Sequence, residues 1–335
     1  MKTCHVHYYF VAIIGLFTAC STSLISISVL EPASFSLPAS IKSVSIFPEV
    51  IFSDSPGVFD SIQCVELDPT FNYNKIKKGY LLGLYDAMIA SPVFRRVVIA
   101  DSSYKQLTTP DDLIRWNDLV QICNKDSTNS VAILTKAVSY DNIQFYSDLD
   151  MDCSFYYQVI NKTKWSFLLP ELKTEATNFT YHDTVYFEGR DYDCGSILND
   201  MPSGNELLYD ACYKTGYRVG TYISPSWNDD VQRIVFTGPN RGLRNAAILL
   251  YKDQWGEAAR IWNHLSEAKN RKLASRASFN IALAFERDDN LDQAASWIAY
   301  ADSMYSNGRT LKYKKLLDVR LKTRTILDKQ MTGVE

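Results

Sequence analysis

Hydrophobic and polar positions along the chain outline a succession of short strands and helices ahead of a purely helical tail. An apolar run covers Tyr8 to Ala19. Leu24, Ser26 and Ser28 then alternate with Ile25, Ile27 and Val29, as in a strand. Past Pro32 and Pro38, Ile41 to Phe47 is predicted as the next strand, closed by Pro48. Pro56, Gly57 and Pro69 mark residues 53 to 72 as loop. Ile76, Tyr80, Leu84 and Met88 recur every four residues, so a helix is predicted over Lys75 to Ser91, with Pro92 as its stop. Arg95 to Ala100 follows as a strand. Thr109-Pro110-Asp111-Asp112 has the form of a helix start, and Leu113, Trp116, Val120 and Cys123 make that helix's inner face. Ser130 to Val138 is a buried strand. Phe155–Ile160, Lys164–Leu169 and Phe179–Phe187 are aromatic alternating runs, predicted as an antiparallel meander with a short polar turn between the first two. Asn205 to about Tyr217 is helical, with Gly216 and Gly220 as candidate breaks.

From residue 237 onward no strand signal remains, and the pattern repeats with a shift of 36 residues. Ala246 maps to Ala282, Leu249 to Phe285, Ala258 to Ala294 and Ile261 to Trp297. Trp255-Gly256-Glu257-Ala258-Ala259 and Leu291-Asp292-Gln293-Ala294-Ala295 each open a second helix. This resembles the tetratricopeptide repeat, in which small residues let antiparallel helices approach. The period is 36 rather than the usual ~34 and the repeat-end proline is absent; a plain helical bundle is the competing reading. Leu311 to Leu327 would close the tail. The expected architecture is α+β: a mixed α/β sandwich domain over residues 24–236, then an all-α tetratricopeptide-like tail over 237–335.

The front of the chain sets an expected address. Lys2, the run from Tyr8, and Leu16-Phe17-Thr18-Ala19-Cys20 together have the layout of a signal peptide, residues 1–19, ending before a cysteine. The segment resembles the bacterial lipobox, with Phe17 where leucine is usual, and the resemblance implies lipidation of Cys20 and a tether over 20–23. An uncleaved anchor helix and simple secretion are the other readings, although the 12 residues from Tyr8 to Ala19 fall short of the ~20 that span a bilayer. A strand so close behind Cys20 would hold the α/β domain near the lipid, with the helical tail pointing away. Signal removal takes only Lys2 among the charged residues, leaving 34 basic against 38 acidic side chains. That balance, without any basic block, argues against a nucleic-acid partner.

Chemistry is thinly signalled. Cys64, Cys123, Cys153, Cys194 and Cys212 lack the spacing of a zinc cluster; they are expected as buried thiols, with a Cys194–Cys212 disulfide as the alternative. Asp148, Asp150 and Asp152 open like a calcium loop, but Cys153 stands where its glycine belongs and Val159 where its bidentate glutamate belongs. His182 beside Cys194 or Cys212 is the sole route to a nucleophilic site, and His264 lies in the tail. Nucleophile-elbow, zinc-protease, dinucleotide and phosphate-loop motifs are absent. No catalytic residue, cofactor or metal is therefore expected. The candidate partner or ligand contacts are Trp227, as a buried wedge or an exposed stacking platform, and Trp255, Trp262 and Trp297 on the tail.

Three pieces, Val29-Leu30-Glu31-Pro32-Ala33 onward, Trp116 to Cys123, and Ile223-Ser224-Pro225-Ser226-Trp227, together resemble an uncharacterised lipoprotein family of the Bacteroidota. The strand–helix–strand–helix–strand opening more distantly resembles small α/β domains of periplasmic assembly lipoproteins, a likeness of fold alone. The family resemblance implies an outer-membrane lipoprotein. Surface-exported members tend to carry acids after the lipid cysteine; Ser21, Thr22, Ser23 and Leu24 stand here, which implies a periplasm-facing position. It also implies loose O-glycosylation tripeptides at Asp60-Ser61-Ile62, Asp126-Ser127-Thr128, Asp183-Thr184-Val185 and Asp302-Ser303-Met304. The expected function is a membrane-anchored, non-enzymatic scaffold that binds a protein partner through the helical tail. The alternatives are a glycan- or envelope-binding module and an enzyme with a Cys/His site.

Overall fold

The computed structural model describes residues 22–47, 51–52, 73–100, 115–147, 153–191 and 202–332. They fall into two compact units: 22–31 with 227–326, and 32–226 with 327–332. The Cys20 lipobox, the loop over 53–72, the helix start at Thr109 and the acidic stretch Asp148–Asp152 lie outside the described residues.

Strand β1 (Thr22–Glu31) belongs to the helical unit, whereas β2 (Ser43–Phe47), β3 (Ile51–Phe52), α1 (Tyr73–Ala90), β4 (Arg96–Ile99) and α2 (Trp116–Asp126) belong to the α/β unit. So do β5 (Ser130–Ser147), β6 (Cys153–Leu169), β7 (Thr174–Asp191) and α3 (Gly204–Ile223). Their sheet runs β4-β2-β5-β6-β7, with β3 beside β5. β2 pairs parallel with β4 and β5, and β5-β6-β7 is an antiparallel meander, so the sheet is mixed as the alternation of strands and helices predicts.

Helices cover both faces. Ile76, Tyr80, Leu84 and Met88 of α1 and Leu207, Leu208, Ala211 and Val219 of α3 pack with Val44, Ile46, Leu134, Trp165 and Phe167 from the sheet. Each large side chain buried there contributes about 1.5–3 kcal/mol. Leu119, Ile122 and Cys123 of α2 pack on Phe47, Val131, Ile133 and Leu168 on the opposite face. Ser203 caps α3 reciprocally: its Oγ accepts from Glu206 N, and the Glu206 carboxylate accepts from Ser203 N at 3.0 Å.

Two local expectations are corrected. No turn separates Phe155–Ile160 from Lys164–Leu169; β6 runs through as one strand. Asn161 and Thr163 are polar because they hydrogen-bond beneath the helices, and both are fully buried. Nor do Gly216 and Gly220 break α3, which continues to Ile223.

The helical unit contains β1, β8 (Ser226–Phe236), α4 (Arg241–Leu250), α5 (Trp255–Ser266), α6 (Arg271–Arg287), α7 (Leu291–Met304) and α8 (Gly308–Thr332), whose last turn counts with the other unit. β1 pairs with β8 alone. Gln232 donates to Ser26 Oγ at 2.7 Å and Asn228 to Glu31 Oε1 at 3.0 Å, an opposed order that makes the ribbon antiparallel. Ile27, Val29 and Val235 bury their side chains with Leu243, Trp262, Ala277 and Ile281. The boundary read at residue 236 is thus displaced. Alternation reports that β1 has one apolar face, but not which partner covers it. The strand nearest the front of the chain thus counts with the helical unit rather than the α/β unit.

Candidate functional site

The expected contact residues scatter. Trp255 and Trp262 are buried in the helical core and Trp297 is half-buried against it, with Tyr300 edge-on at 5.9 Å. Apolar burial of the rings, and the Arg287 guanidinium 4.9 Å over Trp255, explain their presence without a ligand. Trp227 alone among the four keeps an exposed ring, at 51% of its surface, which fits a platform and not a wedge. Among the described residues no group of His, Cys, Asp and Glu is placed to hold a metal, and no helix is long and apolar enough to cross a membrane.

The thiol reading holds at two cysteines and is corrected at a third. Cys123 and Cys212 are free and buried, whereas Cys153 is disulfide-bonded. Its partner is therefore a cysteine outside the described residues, and Cys194–Cys212 pairing is excluded. Nor do Cys212 and His182 form a dyad. His182 is exposed and paired across the sheet with Lys162, whereas its neighbour Asp183 turns to the helix-covered face that holds Cys212. Burial pushes the Cys212 thiol up to about 12, only partly offset by bonds from Tyr80 and Ser139.

Around Cys212 lies a buried polar chain that spacing did not reveal. Tyr80 OH donates to Asn161 Oδ1 at 2.7 Å and lies 2.8 Å from Ser139 Oγ. Asn161 Nδ2 donates to Thr215 Oγ1 at 2.8 Å, and Thr215 donates to Asp183 Oδ2 at 2.9 Å. Arg218 closes the chain at the surface with a 2.7 Å bond to Asp183 Oδ1. Burial holds the Tyr80 hydroxyl well above its usual range, so it stays protonated and donates. Each member satisfies the next, which is how α1, β6, β7 and α3 are held in one register.

The other face of the meander is partly open to solvent. Even-numbered positions of β6 and their cross-strand partners point away from α1 and α3. The α2 helix covers Ile133 and Leu168 at one end of that face. Farther along, Gln144 pairs with Tyr156, Tyr156 with Glu188, and Gln158 with Tyr186. Tyr146, Tyr186 and Ile160 stay exposed there. Tyr156 and Tyr186 lie 5.4 Å apart, Gln158 Nε2 is 3.5 Å from Tyr186 OH, and Tyr146 OH donates to Gln144. Ring faces beside amide donors and acceptors suit a ligand with apolar patches and many hydroxyls. Odd–even aromatic alternation was the available signal, masked by the greater aromatic content of the buried face.

These features define the class: a helix-covered mixed sheet with a partly open, tyrosine- and amide-bearing face, joined to a helical unit. The chain belongs to the family described as Domain of unknown function (DUF8603), which matches residues 41–236. A second family, Domain of unknown function (DUF6340), matches residues 244–319. No curated protein matches the sequence. Among solved structures, the chain is similar to the PelC dodecamer from Paraburkholderia phytofirmans at 6% identity and TM-score 0.27, covering 61% of this chain and 98% of that one. It is also similar to a neuraminyllactose-binding hemagglutinin homologue from Helicobacter pylori at 10% identity and TM-score 0.31, covering 57% of this chain and 87% of the other.

Proposed function

We propose that this protein is a lipid-anchored component of the bacterial outer membrane, facing the periplasm, that works by binding and not by catalysis. The observation that carries the reading is the Cys153 disulfide, because such bonds persist in oxidising compartments outside the cytosol. It agrees with the lipobox, whose cysteine lies two residues before β1. Metabolic labelling with a clickable palmitate analogue is expected to mark the wild-type chain and not Cys20→Ala. An unlabelled wild type would overturn the anchor.

The ligand surface in this reading is the open face around Tyr156 and Tyr186, and the ligand is an envelope glycan. Tyr156→Ala/Tyr186→Ala is expected to weaken binding to soluble envelope polysaccharide about tenfold, since stacked rings contribute about 0.5–1.5 kcal/mol each. Equal titrations of folded variant and wild type would sink the assignment. A protein partner on the helical unit is the second reading, favoured by Ile248 and Tyr251 exposed at the end of α4. Unchanged glycan titration with lost protein capture in Ile248→Ser/Tyr251→Ser would select it. A tetratricopeptide-like organisation of that unit is part of the proposal. It is supported by helix starts at Trp255 and Leu291 and by complete burial of Ala246, Ala258, Ala282 and Ala294.

A further inference from the structure

The helical unit has one strongly basic end. Helices α4, α6 and α8 start at one end, where α5 and α7 finish. Gly242 at the head of α4 faces Leu265 at the foot of α5, and Arg271 at the head of α6 donates to the Ser303 carbonyl near the foot of α7 at 3.0 Å. Ser275 likewise donates to the Tyr305 carbonyl at 3.1 Å. β8 runs toward this end: its last residue, Phe236, bonds Asn280 midway along α6 and has the Arg276 and Arg309 guanidinium groups 5.4 and 5.9 Å from its ring. Because β1 runs antiparallel to β8, Thr22 begins where Phe236 ends.

This is also the basic end. Arg241, Lys269, Arg271, Lys272, Arg309 and Lys312 are exposed around it. The nearby acids are Glu267 and Asp302, the latter 4.0 Å from the Lys314 ammonium. At the opposite end Asp253, Glu257, Asp288, Asp289 and Asp292 are exposed, and the arginines there are engaged in ion pairs. Apolar side chains stand among the basic ones: Leu311 is 45% exposed and Tyr305 44%. Basic groups interspersed with exposed apolar ones are the composition that lies in a lipid interface.

We propose that this end of the helical unit docks on anionic lipid headgroups, with Tyr305 and Leu311 entering the headgroup layer. The clustering of exposed basic side chains beside exposed apolar ones points there. In its link to Cys20 the proposal rests on the lipoprotein reading, since only Ser21 stands between Cys20 and β1, so an acylated cysteine would keep the helical unit close to the lipid. The surface itself does not depend on acylation, so it can be tested without it.

The test uses residues 20–335 carrying Cys20→Ser, which retain every described residue, in cosedimentation with vesicles. Binding is expected to vesicles of phosphatidylglycerol and phosphatidylcholine but not to phosphatidylcholine alone, and to weaken as salt rises. Arg241→Glu/Lys269→Glu/Lys312→Glu is expected to lose about a hundredfold in affinity, at about fivefold for each basic residue. Lys252→Glu, at the opposite end, is expected to leave binding unchanged, and the melting temperatures check that both variants fold. Equal binding to both vesicle types, binding to neither, or full binding by the triple variant would overturn the proposal. Palmitate labelling of Cys20 reports separately on the anchor: an acylated protein whose unacylated form ignores anionic vesicles would refute docking alone.

Discussion

Glu286→Ala is expected to destabilise the helical unit by about 3–5 kcal/mol, seen as a lower denaturation midpoint in urea. Glu286 has no exposed surface, yet sits mid-fold on α6 as a carboxylate. Arg233 of β8 grips both its oxygens, at 2.7 and 2.9 Å. Arg320 of α8 donates to it at 2.9 Å and Tyr313 at 2.6 Å. One carboxylate thus ties the ribbon to two helices, with both arginines nearly buried at 10% and 13% side-chain exposure. Removing it strands the positive charge of Arg233, while Arg320 keeps Asp289 at 2.9 Å, and the Arg233 penalty dominates. Replacing the triad by Arg233→Met/Glu286→Leu/Arg320→Met removes the stranded charge, so this variant is expected to recover most of the lost stability. A triple variant no more stable than Glu286→Ala would show that the attraction itself, not the stranded charge, sets the cost.

The same site fixes a pH dependence. Burial alone would raise the Glu286 carboxyl, but the Arg233, Tyr313 and Arg320 bonds outweigh it and hold the group below its ordinary 4.5. A depressed folded value means the unfolded chain takes up its proton first as acid is added. The stabilisation is therefore complete above about pH 4.5 and is lost as pH falls through the folded value. Wild type is expected to lose this increment on acidification while Glu286→Ala does not.

How much of this was legible depends on the range over which each signal acts. The α1 periodicity through Ile76, Tyr80, Leu84 and Met88, and the short strands β2 and β4, follow from local burial and matched the fold. The tail's alanines were readable because repetition marks them twice. β8 left no local mark, since only its last two residues, Val235 and Phe236, are buried hydrophobics. Its pairing with β1 joins residues about two hundred positions apart, which no local pattern encodes. Asn161 and Thr163 looked like a turn because polarity in sequence does not distinguish exposure from a buried hydrogen bond. Glu286 was hidden in Glu286-Arg287-Asp288-Asp289, where its neighbours are solvated and it alone points inward. The tryptophans erred the other way: large rings attract functional readings, yet Trp255 and Trp262 are core.

Gly83→Ala, one methyl group, is expected to cost the α/β unit at least about 2–3 kcal/mol, at the upper end of overpacking substitutions. Helices α1 and α3 cross with backbones in contact through two pairs of glycines four residues apart, Gly79 with Gly83 and Gly216 with Gly220. A Cβ on Gly83 would lie 2.6 Å from the Tyr217 amide nitrogen and closer still to the Tyr213 carbonyl oxygen. On Gly216 it would meet the Tyr80 backbone, with Cα at 3.0 Å and the carbonyl oxygen nearer. Backbone cannot swing aside as a side-chain tip can, so the helices must separate. Separation lifts Tyr80 from Asn161 and Asn161 from Thr215, leaving buried groups without partners at about 1–3 kcal/mol each. This distinguishes the site from an ordinary helical glycine, where alanine would raise helix propensity and stabilise by up to about 1 kcal/mol. Gly256 is the internal contrast: nothing lies within 4 Å of its Cβ position, so Gly256→Ala in α5 is expected to be neutral or stabilising. Paired thermal melts decide the matter; a Gly83→Ala chain as stable as Gly256→Ala would mean the two helices do not approach this closely.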